Sequence, residues 1–214
     1  SLGYKMHWYQ SATSTITLQL KSTDNLGSLT YVTIPLFSMV CDPNSSTVYT
    51  IYKGVEADNV NENPNDIILS CLDLSRTYKA RVIEGKCKSY EINGDKNITL
   101  DKLDSDYRLY FDEPNIAENG IFVKTNSSRF FGDWQPVDNL QLQRLGTCCF
   151  KFGVLPNSNT CYIQFPEDIA SLLNTKEASA LNINYVLSSG SKGNIKSSYL
   201  KTFLDDVTIK VTDN

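Results

Sequence analysis

An alternation of apolar and polar residues with a period of two is the feature that most limits how this chain can fold. The segments STITLQL (14–20) and LTYVTIPL (29–36) each place aliphatic residues at every second position: Ile16, Leu18 and Leu20 in the first, and Val32, Ile34 and Leu36 in the second. Because successive side chains of a strand point to opposite faces, both segments are predicted as strands with one buried face. The polar segment between them is typical of a turn. We expect the two strands to form a hairpin, with Pro35 at a strand end.

The same pattern recurs along the chain at short and fairly even spacing. Further strands are predicted in the segments 46–54, 66–74, 77–84, 107–111, 120–124, 139–154, 161–165, 180–187 and 205–211. Segments rich in Asn, Asp, Gly and Pro separate them, as turns require. One segment differs, because FPEDIASLLNT (165–175) begins with a proline and two acids and then places aliphatic residues at helical spacing. It is predicted as a short helix.

These elements indicate an all-β fold, either an antiparallel β-barrel or a two-sheet sandwich, with one short helix. The chain has 214 residues, a length that a single β domain often reaches. It contains no repeat of fixed period and no linker that demands a second domain. Residues 1–214 are therefore predicted to form one domain.

The charge pattern argues against two classes of partner. The net charge is −4, and lysines and acids are interspersed along the chain. Nucleic acids and anionic membrane surfaces are bound through clustered Lys and Arg, so neither is expected as a partner. No apolar run approaches the roughly 20 residues that span a bilayer, and membrane insertion is not expected either.

Residues suited to catalysis or to metal binding are scarce. His7 is the only histidine, so no base is available beside a nucleophile elsewhere in the chain. The adjacent acids Asp112-Glu113, Glu167-Asp168 and Asp205-Asp206 are expected to be solvated or to cap a helix, because neighbours in a strand point to opposite faces. The cysteines have no zinc spacing, and no calcium loop is present. We predict no enzymatic activity, no metal and no cofactor.

The six cysteines allow two interpretations. They lie at positions 41, 71, 87, 148, 149 and 161. They can be buried free thiols that pack as small apolar residues. Alternatively, one or more disulfides form, with Cys148 or Cys149 bonded to Cys161 across a hairpin as the best pair, since neighbouring antiparallel strands bring Cα atoms within bonding range.

Three stretches carry a resemblance to a known family. They are SLTYVTIPLFSMVCD (28–42), FGDWQPVDNLQLQRLG (131–146) and SSYLKTFLDDVTIKVTDN (197–214). Together with the β-rich, Asn/Ser/Thr-rich character of the chain, they resemble the capsid spike of an astrovirus. The resemblance implies a projecting domain, cut from a larger capsid polyprotein, that forms a homodimer on the virion surface.

The same resemblance implies a function. It implies attachment of the virion to a host-cell receptor, a protein or a glycan, and recognition by neutralising antibodies. It further implies assembly in the host cytoplasm, outside the secretory pathway, where thiols stay reduced. The alternatives are a carbohydrate-binding jelly-roll module of a secreted or surface protein, a phage receptor-binding protein and an unrecognised hydrolase.

Candidate receptor contacts follow from loop placement alone. The loops expected to be exposed are 58–66, 112–119, 126–137 and 188–198. In the third, Pro136 and the Gly132-Asp133 turn break any regular strand, so at most one of Phe130 and Phe131 is expected to fill the core. The other ring and Trp134 are expected to cover the barrel, to lie in a dimer interface or to face a partner. The predicted receptor-binding residues are Arg129, Asp133, Trp134, Gln135, Asn115 and Lys192.

Overall fold

The computed structural model describes residues 8–20, 31–55, 62–63, 66–125, 133–173, 181–190, 200, 202–203 and 210–211. Contacts within the chain gather into two compact units. Unit 1 comprises Ser1–Gln10 and Lys88–Leu187, and unit 2 comprises Ser11–Cys87 and Ser188–Asn214. The single domain expected over residues 1–214 stays a prediction.

Short strands make up most of the regular structure, and the predicted all-β class with one short helix is confirmed. In the described part of the chain they are β1 (Thr13–Leu18), β2 (Tyr31–Ile34), β3 (Met39–Cys41), β4 (Val48–Val55), β5 (Glu62–Asn63), β6 (Ile67–Ser70), β7 (Tyr78–Glu84), β8 (Lys86–Ser89), β9 (Arg108–Tyr110), β10 (Ile116–Thr125), β11 (Gln135–Pro136), β12 (Cys149–Val154), β13 (Cys161–Gln164), β14 (Leu181–Leu187), β15 (Thr202–Phe203) and β16 (Lys210–Val211). The one α-helix described is α1 (Glu167–Leu173), and 3-10 turns lie at Leu100–Lys102 and Leu140–Leu142.

Unit 2 contains two antiparallel sheets. The larger has the order β1-β7-β4-β3-β15, with β5 paired to β4, and the smaller has the order β16-β2-β6. Alternate residues of these strands form one apolar core: Ile16, Val32, Ile34, Val40, Tyr49, Ile51, Ile67, Leu69, Cys71, Ala80 and Val82. The period-two pattern of the sequence therefore marks the buried face correctly.

The hairpin expected between the first two strands is wrong. β1 pairs with β7, from Thr13 opposite Ile83 to Leu18 opposite Tyr78, and β2 pairs with β6 and β16. Alternation gives the buried face of a strand but not its partner, which explains the error. The expectation for Pro35 is confirmed, because β2 ends at Ile34.

A buried carboxylate joins three segments of unit 2. The side chain of Glu84, at the end of β7, is only 1% exposed. The hydroxyls of Ser11 and Ser188 donate to Glu84 Oε2 at 3.1 and 3.0 Å, and the backbone N–H of Ser189 donates to Oε1 at 2.8 Å. A buried carboxylate is tolerated only when such hydrogen bonds replace its hydration, so the three bonds determine the position of this side chain.

Unit 1 contains two further sheets around a second core. One has the order β10-β14-β8, and the other has the order β11-β12-β13-β9, in which β11 and β12 are parallel. Their core consists of Ile98, Leu109, Phe111, Ile116, Ile121, Val123, Trp134, Phe150, Cys161, Ile163, Phe165, Ile169, Leu181, Ile183 and Tyr185. The predicted helix is present, and its Ile169 is fully buried in this core.

The long strand expected over residues 139–154 is wrong in its first half. Residues Leu140–Leu142 form a 3-10 turn whose N-cap is Asn139, and β12 begins only at Cys149. Leu142 and Leu145 are 80% and 89% exposed, so their spacing does not reflect a buried face. The alternation of leucine and glutamine therefore mimics a strand in a segment that the Asn139 cap turns into a helical conformation.

None of the six cysteines, all of which lie among the described residues, forms a disulfide, and Cys71, Cys149 and Cys161 are the buried ones. Cys149 and Cys161 are fully buried in unit 1. Burial raises the pKa of the Cys148 and Cys149 thiols, and it raises the pKa of Cys161 to about 11. These thiols thus behave as apolar core residues.

No α-helix among the residues that the structure describes is long and apolar enough to cross a membrane.

Replacement of Glu84 is expected to destabilise unit 2. Glu84→Ala removes the acceptor of three hydrogen bonds and should lower the free energy of unfolding by about 3 kcal/mol, whereas Glu84→Gln keeps one acceptor oxygen and should cost about 1–2 kcal/mol. Urea denaturation followed by circular dichroism measures both. Equal midpoints for the wild-type chain and Glu84→Ala would show that the three bonds contribute nothing.

The thiol of Cys161 is expected to react slowly and to make stability depend on alkaline pH. With its pKa near 11 instead of the ordinary 9.0, its thiolate fraction at pH 8 is about 100-fold lower than in the unfolded chain. The folded state holds this proton more tightly, so its contribution is present below pH 9 and is lost as pH rises through about 11. Pulsed alkylation with peptide mapping measures the rate, and labelling of Cys161 as fast as in urea would contradict its burial.

Candidate functional site

A cavity of about 630 Å³ opens on unit 1, within the range of roughly 300–1,000 Å³ that small-molecule sites occupy. We call it the Glu113 cavity. Its lining residues are Lys88, Ser89, Tyr90, Glu91, Ile92, Asn93, Lys96, Tyr110, Asp112, Glu113 and Tyr185. They come from β8, β9 and β14 and from the segments that follow β8 and β9. Several elements of the sheet framework therefore contribute to one site.

A tight turn holds one side of the cavity. Ile92 and Asp95 exchange two backbone hydrogen bonds of 3.0 Å, and between them Asn93 and Gly94 have φ values of 53° and 83°. Two successive residues with positive φ indicate a type I′ turn, for which Asn-Gly is the preferred sequence. The turn places Asn93 and Lys96 at the cavity.

The centre of the site is the carboxylate of Glu113. The hydroxyl of Tyr185 donates to Oε1 and Oε2, at 3.0 Å each, and the ammonium group of Lys88 donates to Oε1 at 2.7 Å. Burial alone would raise the pKa of Glu113, but the hydrogen bonds from Lys88 and Tyr185 outweigh it, and the pKa lies below its ordinary value. Glu113 is therefore an ionised acceptor at neutral pH.

Aromatic rings fix the tyrosines that carry the polar groups. Tyr90 meets Phe111 edge to face with ring centres 5.3 Å apart, and Phe111 meets Tyr185 at 5.1 Å. The hydroxyl of Tyr90 donates to the backbone carbonyl of Tyr110 at 2.8 Å. Burial raises the pKa of Tyr185 and of Tyr90, and nearby carboxylates add to both shifts. Both phenols stay protonated at neutral pH and act through neutral hydroxyl groups.

A second cavity of about 670 Å³ lies beside the start of α1. Tyr107 lines it with a φ of 59°, an uncommon conformation for a bulky residue, and Asp168 Oδ2 accepts the backbone N–H of Gly146 at 2.6 Å. Asp168 lies in the first turn of α1, where a helix-capping acid is expected. The bond from Gly146 gives it a structural role. We take the Glu113 cavity as the candidate site because its carboxylate is held by side chains that line the cavity themselves.

No group of three or more His, Cys, Asp or Glu side chains suited to a metal ion occurs in the described ranges.

The described residues among the predicted receptor contacts lie outside the Glu113 cavity. Arg129 and Lys192 fall outside the described residues. Asp133 Oδ1 lies 3.4 Å from the ammonium group of Lys124, Gln135 is exposed in β11, and Asn115 is half-buried just before β10. None of the described ones lines the Glu113 cavity.

The exposed position expected for Trp134 is wrong. Its side chain is only 3% exposed, and its ring meets Phe165 edge to face with ring centres 5.5 Å apart. Its backbone N–H donates to the carbonyl of Val123 at 3.0 Å, which ties the residue to the end of β10. The Trp134 ring, predicted to contact a partner, is therefore packed in the core of unit 1. The positions of Phe130 and Phe131 lie outside the described residues.

Two of the other loops that were predicted to be exposed contain buried residues. In the loop expected over 112–119, Ile116 and Ala117 are fully buried, because β10 already begins at Ile116. Ser188 of the loop expected over 188–198 is also buried, as a partner of Glu84. In the loops 58–66 and 188–198, residues 58–61, 64–65 and 191–198 lie outside the described residues.

Sequence reasoning missed the residues of the Glu113 cavity. It treated Asp112-Glu113 as a solvated pair, which fits the exposed Asp112 but not Glu113, whose side chain is 25% exposed and bound by Tyr185. The only local signal was the Asn-Gly turn after an aromatic residue, in SYEING (89–94). Tyr185 lies 72 residues from Glu113, and no pattern in the sequence connects them.

Two substitutions of Trp134 should separate packing from contact. Trp134→Ala should lower the free energy of unfolding by about 3–5 kcal/mol. Trp134→Phe should cost less, because it keeps a ring and removes a buried indole N–H that has no acceptor among the described residues. Urea denaturation measures both, and receptor binding by folded Trp134→Phe should equal that of the wild-type chain. Lost binding by this folded variant would restore Trp134 as a contact.

Comparison with known proteins assigns this chain to no family. No protein-family model, no curated protein and no solved structure matches it. The function must therefore be inferred from the chain's own residues, above all from those that line the Glu113 cavity.

Proposed function

We propose that this chain is a recognition domain that attaches a virus particle to its host cell, the role implied by its resemblance to an astrovirus capsid spike. The observation that carries the proposal is the Glu113 cavity, in which charged, amide and hydroxyl groups converge at one opening on unit 1. Concave sites with converging polar groups are the usual places for ligand recognition. The receptor is a protein or a glycan of the host-cell surface.

The chemistry of the cavity favours binding over turnover. General acid–base catalysis works best with a group whose pKa lies near neutrality. In the Glu113 cavity the pKa of Glu113 is lowered and the pKa of Tyr185 is raised, so both groups move away from that range. A fixed acceptor and a fixed hydroxyl are what a binding site needs.

The resemblance to an astrovirus capsid spike also implies where the domain stands and how it assembles. The domain stands on the virion surface as a homodimer, is assembled in the host cytoplasm and is a target of neutralising antibodies. Exposed residues outside the cavity, such as Gln135, contribute to the antibody-accessible surface.

A carbohydrate-binding module of a secreted or surface protein is the second candidate, because the same cavity suits it. The two functions differ in oligomeric state. Light scattering on the purified chain should give a dimer for the capsid spike. A strict monomer would favour the binding module, and a trimer would favour a phage receptor-binding protein.

Attachment is tested with the purified, fluorescently labelled chain on a panel of cultured cell lines. We expect saturable binding to at least one line and inhibition by excess unlabelled chain. Lys96→Ala, at the exposed rim of the cavity, should reduce binding several-fold. Lys102→Ala, the same change at an exposed lysine outside the cavity, should leave binding unchanged.

Flow cytometry measures the binding, and thermal unfolding confirms that both variants are folded. Absence of saturable binding to every line would contradict the attachment function. Equal loss in Lys96→Ala and Lys102→Ala would remove the cavity from the receptor site.

A further inference from the structure

We propose that the Glu113 cavity binds a neutral carbohydrate, the end of an uncharged oligosaccharide, so that the receptor engaged there is a glycan. This inference rests on the proposed recognition function and adds the chemical class of the ligand. It follows from the charges of the lining, from the hydrogen-bond capacity that the lining leaves open and from the scarcity of aliphatic surface.

The charges argue against an anionic ligand. The lining carries two ammonium groups, Lys88 and Lys96, and three carboxylates, Glu91, Asp112 and Glu113. Lys88 is already bound to Glu113 at 2.7 Å. One ammonium group, Lys96, then remains against two carboxylates, Asp112 and Glu91, so the lining carries an excess of negative charge. A sialylated, sulfated or phosphorylated ligand would meet this repulsion, whereas an uncharged ligand would not.

The hydrogen-bond capacity fits hydroxyl groups. An ionised carboxylate accepts about four hydrogen bonds, and the bonds from Lys88 and Tyr185 leave an acceptor position on Oε2 of Glu113. The side chain of Glu113 is 25% exposed, so water or a ligand can reach it. The hydroxyl of Tyr90 uses its proton on the carbonyl of Tyr110 and keeps its acceptor positions.

Donors stand beside these acceptors. The ammonium group of Lys96 and the amide of Asn93 line the same cavity and are both exposed. A sugar hydroxyl donates and accepts at once, so it can pair both with the donors and with the acceptors of this lining. A purely accepting or purely donating ligand would leave part of the lining unsatisfied, at a cost in affinity.

The composition of the lining separates a sugar from a peptide. Ile92 is the one aliphatic residue among the described residues that line the cavity, while three tyrosines, Tyr90, Tyr110 and Tyr185, supply the ring surface. A peptide is often bound through several aliphatic anchors, and the described lining supplies only Ile92. Tyrosine combines an apolar ring with a polar hydroxyl, which matches the mixed C–H and O–H surface of a pyranose.

The test uses a printed array of neutral, sialylated and sulfated oligosaccharides, followed by calorimetric titration of each ligand found. We expect binding confined to neutral oligosaccharides. Glu113→Gln should weaken it about tenfold or more, because a charged acceptor is replaced by a neutral one. Glu118→Gln is the matched control, since Glu118 lies in β10 outside the cavity, and its affinity should stay within about twofold of wild type.

Folding of Glu113→Gln is checked by thermal unfolding. If it does not fold, Lys96→Ala, which changes an exposed side chain, replaces it, and a fall of several-fold is expected. Binding confined to sialylated or sulfated ligands would overturn the inference, and so would neutral binding that neither cavity variant weakens. Binding to no carbohydrate would overturn it as well.

The two proposals can fail separately. Cell attachment that survives removal of surface glycans but is lost after protease treatment would leave the attachment function intact and overturn the carbohydrate inference. Neutral-glycan binding without attachment to any cell line would do the opposite. It would support the ligand class and contradict the viral function.

Discussion

The buried carboxylate of Glu84 is the constraint on which the path of this chain depends. The chain passes between the two units after Gln10, after Cys87 and after Leu187. In unit 2, Ser11, Ser188 and Ser189 follow the first and the third of these places directly, and Glu84 lies three residues before Cys87. The two serine hydroxyls and the Ser189 N–H all donate to the Glu84 side chain. A polar side chain buried in the core without such partners would cost several kcal/mol, so the three segments stabilise one another.

In unit 1, the segment Lys88–Leu187 begins within β8 and ends with β14, and these two strands belong to one sheet. The backbone N–H of Tyr90 donates to the carbonyl of Ile183 at 2.8 Å, and the hydroxyl of Ser89 donates to Asn184 at 3.0 Å. These bonds bring Tyr90 beside Tyr185. The Glu113 cavity thus forms where the beginning and the end of the segment Lys88–Leu187 meet.

The sequence could predict most of the longer strands and their buried faces, because both depend on residues two positions apart. It could not predict partners. β1 pairs with β7 although β2 to β6 lie between them in the sequence, and Tyr185 meets Glu113 across 72 residues, contacts that depend on loop closure and on competing pairings. Trp134 illustrates the same limit. The turn residues around it predict an exposed loop, but Trp134 is bonded to Val123 and directly precedes β11, and its ring meets Phe165 in the core.

The bonds that hold Glu113 also explain how a polar cavity can bind a polar ligand. Water competes for every hydroxyl of a sugar, so the net gain per hydrogen bond is small, and affinity depends on how little order is lost on binding. Tyr185 and Lys88 fix the carboxylate, and Phe111 with Tyr90 fixes the ring of Tyr185, before any ligand arrives. The cost of ordering these side chains is met during folding. What distinguishes this carboxylate from the exposed acids of the chain is therefore its preorganisation, and not its charge.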